Sequence, residues 1–129
     1  MSDIVPVNPA PASARQVVQS YGAGRFKISG ITYEGSVIVM PEAVHAWPVD
    51  AAAAVSLETL HPVIGCAPAI EILLLGTGAT MRPASPELRR ALKQHGIVAD
   101  AMDTGAACRT FNVLVAEDRR VAAALIARD

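Results

Sequence analysis

Ile70-Glu71-Ile72-Leu73-Leu74-Leu75-Gly76-Thr77-Gly78 is the stretch that decides the fold. An almost unbroken apolar run stopped by glycine describes a strand covered on both faces, because a strand with one wet face would alternate apolar and polar side chains. Downstream, Ser85-Pro86-Glu87 supplies an N-cap, a first-turn proline and an early acid for a helix over 86–95. Leu88, Ala91 and Leu92 share its buried face, and Gly96 closes it. Ile97 to Met102 reads as a second strand. Asp103 or Thr104 then caps a further helix whose stripe is Ala107, Phe111, Leu114 and Val115. Asn112, Val113 and Val115 are poor helix formers, so a strand there is the alternative. Strand, helix, strand, helix describes an α/β domain with a parallel portion, and a right-handed crossover brings the C-terminal ends of neighbouring strands to one edge. Ligands bind at that edge in open α/β sheets.

Upstream the pattern is β. Phe26 and Ile28 alternate with Lys27 and Ser29, then Ile31 and Tyr33 continue on the opposite parity, which reads as a bulge at Gly30. Glu34-Gly35 reads as a tight turn, Val37 to Met40 as the returning strand, and Val44 to Trp47 as a third. Ser56 opens a short helix that Pro62 kinks or ends. Residues 1–14, with Pro6, Pro9 and Pro11, read as a flexible tail ahead of one α/β domain over 15–129.

Composition narrows the function. Eleven Lys and Arg against twelve Asp and Glu leave a formal charge of −1, which excludes a general nucleic-acid binder that works by displacing counterions. Only Arg15 is basic among the first 24 residues and no apolar run follows the start, so neither a signal peptide nor a mitochondrial presequence is expected. Pro62, Pro68 and Glu71 interrupt the apolar stretches well short of a transmembrane segment. The expected location is therefore cytoplasmic, with Cys66 and Cys108 as free thiols.

The candidate ligand residues sit in two loops that converge on the sheet edge. Gly76, Thr77 and Gly78 can bring backbone amides to an anion, with Arg82 completing the site. Thr104, Arg109 and Thr110 lie toward the positive end of the next helix. The plain readings are a turn off a buried strand, and a capping Thr with a surface Arg. Met81 stands where a dinucleotide fingerprint requires its third Gly, and no phosphate-loop Gly-Lys-Ser/Thr follows. His45, His61 and His95 are dispersed, so no metal and no cofactor are expected. Cys108 among Ala106, Ala107 and Phe111 reads as a packed thiol, Trp47 as a core or interface aromatic, and Arg119-Arg120 as a solvated loop.

Taken in order, 70–78, Leu92-Lys93-Gln94-His95-Gly96-Ile97, 102–112, Ile31-Thr32-Tyr33-Glu34-Gly35-Ser36 and 120–126 resemble a widespread single-domain family of uncharacterised proteins related to mitochondrial respiratory complex I assembly factor 3. The resemblance covers Gly24 to Ala127. It implies a three-layer α/β domain with a central mixed, largely parallel sheet and an N-terminal β-hairpin portion. It also makes Ala-rich 120–127, helical by propensity, a final strand antiparallel to the others. For function it implies a non-enzymatic protein-interaction or assembly-factor-like domain with a peripheral link to a membrane complex, and the lack of any nucleophile–base or metal constellation in the sequence agrees. The apolar composition is then expected as an exposed patch for a protein partner or self-association. The alternative is a small anionic-ligand-binding protein or enzyme built on the Gly76-Thr77-Gly78 and Thr104–Arg109 loops.

Overall fold

Positive φ at Ala23 and Gly24, and again at Ser29 and Gly30, folds the chain back on itself twice. Two-residue turns of this kind match the twist of paired strands. In the computed structural model, which describes residues 4–7 and 16–128, they join β2 (Val18–Gly22), β3 (Arg25–Ile28) and β4 (Ile31–Glu34). β1 (Val5–Pro6) pairs antiparallel with β2 at Tyr21 and Ser20, giving the order β1-β2-β3-β4. The expected tail thus contributes a short strand at 5–6; residues 1–3 and 8–14 of it lie outside the described residues. The parity change at Gly30 is a hairpin turn rather than a bulge: Ile28 faces Ile31 across a two-residue loop, so the alternation shifts phase. The irregularity in this sheet lies between Val18 and Ser20 instead. Glu34-Gly35 makes no hairpin, because there the chain leaves the small sheet for a larger one.

The larger sheet contains β5 (Val37–Val39), β6 (Val44–Ala46), β7 (Ile72–Gly76), β8 (Val98–Met102) and β9 (Val121–Leu125), in the order β6-β5-β9-β7-β8. β7 is parallel to both β8 and β9, whereas β5 is antiparallel to β6 and to β9. The sheet is mixed but not largely parallel, because the β5–β6 hairpin closes its other half. Nor is the last strand antiparallel to the others; it opposes only β5. A helix carries the chain back from the end of β8 before β9 begins, and such a crossover re-enters the sheet in the original direction.

Helices cover both faces. α1 (His61–Ile64) is short, and Pro62 sits in its first turn, where a proline is tolerated, instead of ending it. The short helical segment expected after Ser56 is a 3-10 turn at Glu58–Leu60 that runs into α1, and Ser56 exchanges hydrogen bonds with Thr59 at its start. α2 (Pro86–Gln94) is capped by Ser85, and α3 (Thr104–Ala116) by Asp103, which resolves the helix-or-strand alternative. Leu73, Leu75, Ala122 and Ala124 point toward α2 and Trp47, while Leu74, Val121, Ala123 and Leu125 point toward α3 and the small sheet. Alternate residues of one strand therefore enter two cores, which is why its sequence shows no alternation.

Two polar side chains pin these layers. Arg120 is not solvated: its side chain is 14 % exposed, and Nη1 donates to Glu42 Oε2 at 2.7 Å. Nη2 donates to the Pro68 carbonyl at 2.8 Å and approaches Cys66 Sγ at 3.6 Å, tying two loops to the start of β9. Asn112, the poor helix former, is buried in α3 and faces the irregular part of β2. Its Oδ1 accepts from Val18 N at 2.9 Å and its Nδ2 donates to Val18 O at 3.0 Å. Asn112→Ala leaves both groups unpaired, and we expect a loss of about 1–3 kcal/mol, read as a lower urea midpoint at unchanged slope.

Candidate functional site

The two loops singled out in the sequence do meet. At the end of β7, the Thr77 amide donates to Met102 O at 2.9 Å, and Thr104 N donates to Gly78 O at 2.9 Å. The Thr104 hydroxyl, fully buried, accepts from Gly78 N at 2.9 Å and donates to Ile126 O at 2.8 Å. One side chain thus joins the loop after β7, the start of α3 and the end of β9. Gly76 is required by close approach: a Cβ there would lie 2.9 Å from Leu125 Cδ2 and 3.1 Å from Thr104 Cα. Gly78 is required by conformation, with φ at +93°.

The amides are therefore turned toward the chain itself. Asp103 Oδ1 accepts from Ala106 N at 2.9 Å, so the positive end of α3 already carries a carboxylate. The Tyr21 hydroxyl packs against Gly105 in the same turn. Arg109 and Thr110 sit five and six residues after Thr104, an axial distance of about 8–9 Å at 1.5 Å per residue. Arg109 is exposed and Thr110 half-buried on α3, while Arg82 lies in the exposed loop leading to α2 on the opposite face of the sheet. Of the seven candidates, the structure joins Gly78 to Thr104 directly, and it groups Gly76, Thr77 and Arg82 along one pocket.

That pocket has a volume of about 370 Å³ and opens on the α2 side of the sheet edge. Trp47, Ala53, Val55 and Ile126 line it with Ser85 and Leu88. Sequence reasoning missed these residues as a group. They are scattered between 47 and 126, and only the sheet order brings the end of β9 beside the end of β7. Among the described residues the large apolar side chains that stay exposed, Ile4, Val5, Ile31, Met81, Val98 and Val113, are spread over the β1 segment, β4, the loop after β7, β8 and α3. Among the described residues no three His, Cys, Asp or Glu side chains are grouped as a metal site would need, and no helix is long and apolar enough to cross a membrane.

Cys108 is fully buried against Phe111 and the small sheet. Desolvation pushes its thiol up from 9.0 to about 12, against the lowering field of Arg109. The folded chain keeps the proton where the unfolded chain loses it, so this contribution to stability falls as pH rises from about 9 to about 12. We expect an excess slope approaching about 1.4 kcal/mol per pH unit in that window, absent in Cys108→Ala. Denaturation midpoints of both proteins from pH 8 upward check it. Alkylation of native Cys108 at neutral pH, with Cys66 replaced by Ala, should be far slower than that of a free thiol. Cys108→Ser should destabilise more than Cys108→Ala. At the loop junction, Thr104→Val strands the Gly78 N–H and the Ile126 C=O at a cost of about 1–3 kcal/mol. Thr104→Ser, which keeps the hydroxyl, should lose about 1 kcal/mol for its missing methyl group.

Comparison with known proteins places this architecture. The chain is 42% identical over 115 residues to NADH dehydrogenase (ubiquinone) 1 alpha subcomplex assembly factor 3 of Danio rerio, covering 89% of this chain and 66% of that protein. The corresponding factor of Xenopus tropicalis is 37% identical, covering 84% of this chain and 60% of that one. The chain thus spans less than two thirds of the length of these relatives. Among solved structures, an outer membrane protein from Bartonella henselae superposes with a TM-score of 0.83 at 38% identity, covering 91% of this chain and 98% of its own. The expected cytoplasmic location is overturned by the similarity to these NADH dehydrogenase assembly factors. Residues 18–126 match the family described as "Protein of unknown function (DUF498/DUF598)", and the chain belongs to that family.

Proposed function

We propose that this chain is a non-enzymatic protein-interaction domain that assists the assembly of a membrane-embedded complex from the membrane's periphery. The observation that carries this reading is the 42% identity to an NADH dehydrogenase assembly factor over 89% of the chain. The sheet edge supports it. In an α/β enzyme this edge presents free amides and polar side chains to a substrate; here the Gly78 amide is spent on the Thr104 hydroxyl, and the Thr104 and Asp103 side chains on neighbouring backbone. Saturated in this way, the α3 half of the edge acts as a rigid frame, and recognition of a protein partner falls to the outer surfaces.

The partner is a protein of the complex under assembly, and the contact is transient, as an assembly factor's must be. Mild-detergent extracts of native membranes from cells carrying the tagged chain test this. Affinity capture should recover subunits of a membrane complex in amounts comparable to the tagged chain, and native gels should show it in bands larger than its monomer. Recovery of the chain alone under the same gentle extraction overturns the reading.

A further inference from the structure

We propose that the pocket at the C-terminal end of β7, on the α2 face, binds an aliphatic carboxylate. This assignment is independent of the assembly role. From β7 the chain leaves through α2 on one face to reach β8, then returns through α3 on the other face to β9 on the opposite side of β7. The end of β7 is therefore the point where crossovers diverge, and in open α/β sheets the crevice at such a point receives the ligand. On the α3 side Thr104 and Tyr21 fill it. On the α2 side it stays open, with a volume of about 370 Å³, inside the range of about 300–1,000 Å³ usual for small-molecule sites.

Its chemistry is one-sided. Val55, Leu75, Leu88 and Ile126 supply an aliphatic wall, with Trp47 across it. Arg82 is the one charged residue of the lining, and no Asp or Glu lines the pocket. Among the described residues its guanidinium has no ion pair; only its backbone amide is engaged, with Thr77 Oγ1 at 2.9 Å. Thr77 Oγ1 itself donates to Thr80 O at 2.7 Å, so it has no proton to offer. Ser85 Oγ accepts from Leu88 N at 3.1 Å, and its hydroxyl hydrogen is left to donate. An apolar wall, one unmatched guanidinium and one hydroxyl donor are complementary to a hydrocarbon tail ending in a carboxylate, which a guanidinium holds through two parallel hydrogen bonds. A sugar or nucleoside would find no partners for its hydroxyls along the wall. A cationic amphiphile would meet Arg82.

Trp47 is the chain's only tryptophan and lines the pocket, so its emission reports on occupancy. The full chain is titrated with octanoate, and with 1-octanol and octyltrimethylammonium as controls of equal tail length. Octanoate should change the emission saturably and shift the amide resonances of Gly76, Ala84, Leu88 and Ile126. Arg82→Ala should weaken it about tenfold or more, the worth of one charge-assisted contact. Arg82→Lys should fall between, and Ala84→Phe, which fills the pocket, should abolish binding. Arg90→Ala, on the exposed side of α2, should leave it unchanged. Thermal midpoints separate loss of binding from loss of fold, and heteronuclear spectra do so for Ala84→Phe. The proposal is overturned by the absence of a saturable change up to about 10 mM octanoate, a limit of roughly −2.7 kcal/mol. It is equally overturned by equal affinity for octanoate and octanol, or by an Arg82→Ala protein that binds as well as the parent.

Discussion

β9 bears the constraint on which the rest depends. Val121 to Leu125 are all fully buried, with hydrogen-bond ladders to β5 on one edge and β7 on the other. A strand in that position leaves no backbone group to water and both faces to be covered. α2 and the 47–64 segment answer on one face, α3 and the small sheet on the other. The three alanines keep the strand thin, so each core is built mainly from the larger side chains of its neighbours. Polar groups fix the two ends. Arg120 anchors the entry through Glu42 and Pro68, and Thr104 holds the exit through the carbonyl of Ile126.

That arrangement explains why the sheet edge divides into two unlike halves. On the α3 side the helix starts directly after β8, with Asp103 capping its first turn, and Thr104 draws the loop after β7 down onto it. Little separates strand end from helix start, and the Gly78, Thr104 and Ala106 amides there are all engaged within the chain. On the α2 side nine residues, 77–85, separate β7 from the helix. The longer excursion holds Arg82 away from the sheet and leaves the crevice beneath it open.

The candidate site was legible in part. Gly76 and Gly78 stand out in the sequence, and each has a physical reason to be glycine. Their local pattern resembles an anion-binding loop because any loop that brings backbone amides close together needs the same residues. Whether those amides face a ligand or a threonine 26 positions downstream is decided by β8 and α3. Asn112 and Arg120 show the same limit: one weakened a helix and the other suggested solvent, while both serve partners more than fifty residues away.

By itself the sequence determined what depends on neighbours in the chain. The buried strand at 72–76, the two capped helices, and the burial of Cys108 follow from apolar period, capping residues and local composition. Tertiary structure decided what depends on packing between distant segments. It made 121–125 a strand against its alanine-rich helical propensity, since a buried slot between two strand edges satisfies its backbone and a helix there would leave those edges unpaired. It set the mixed direction of the sheet, because a local pattern carries no information on which edge a hairpin joins. And it assembled the pocket, whose walls become neighbours only once β9 lies beside β7.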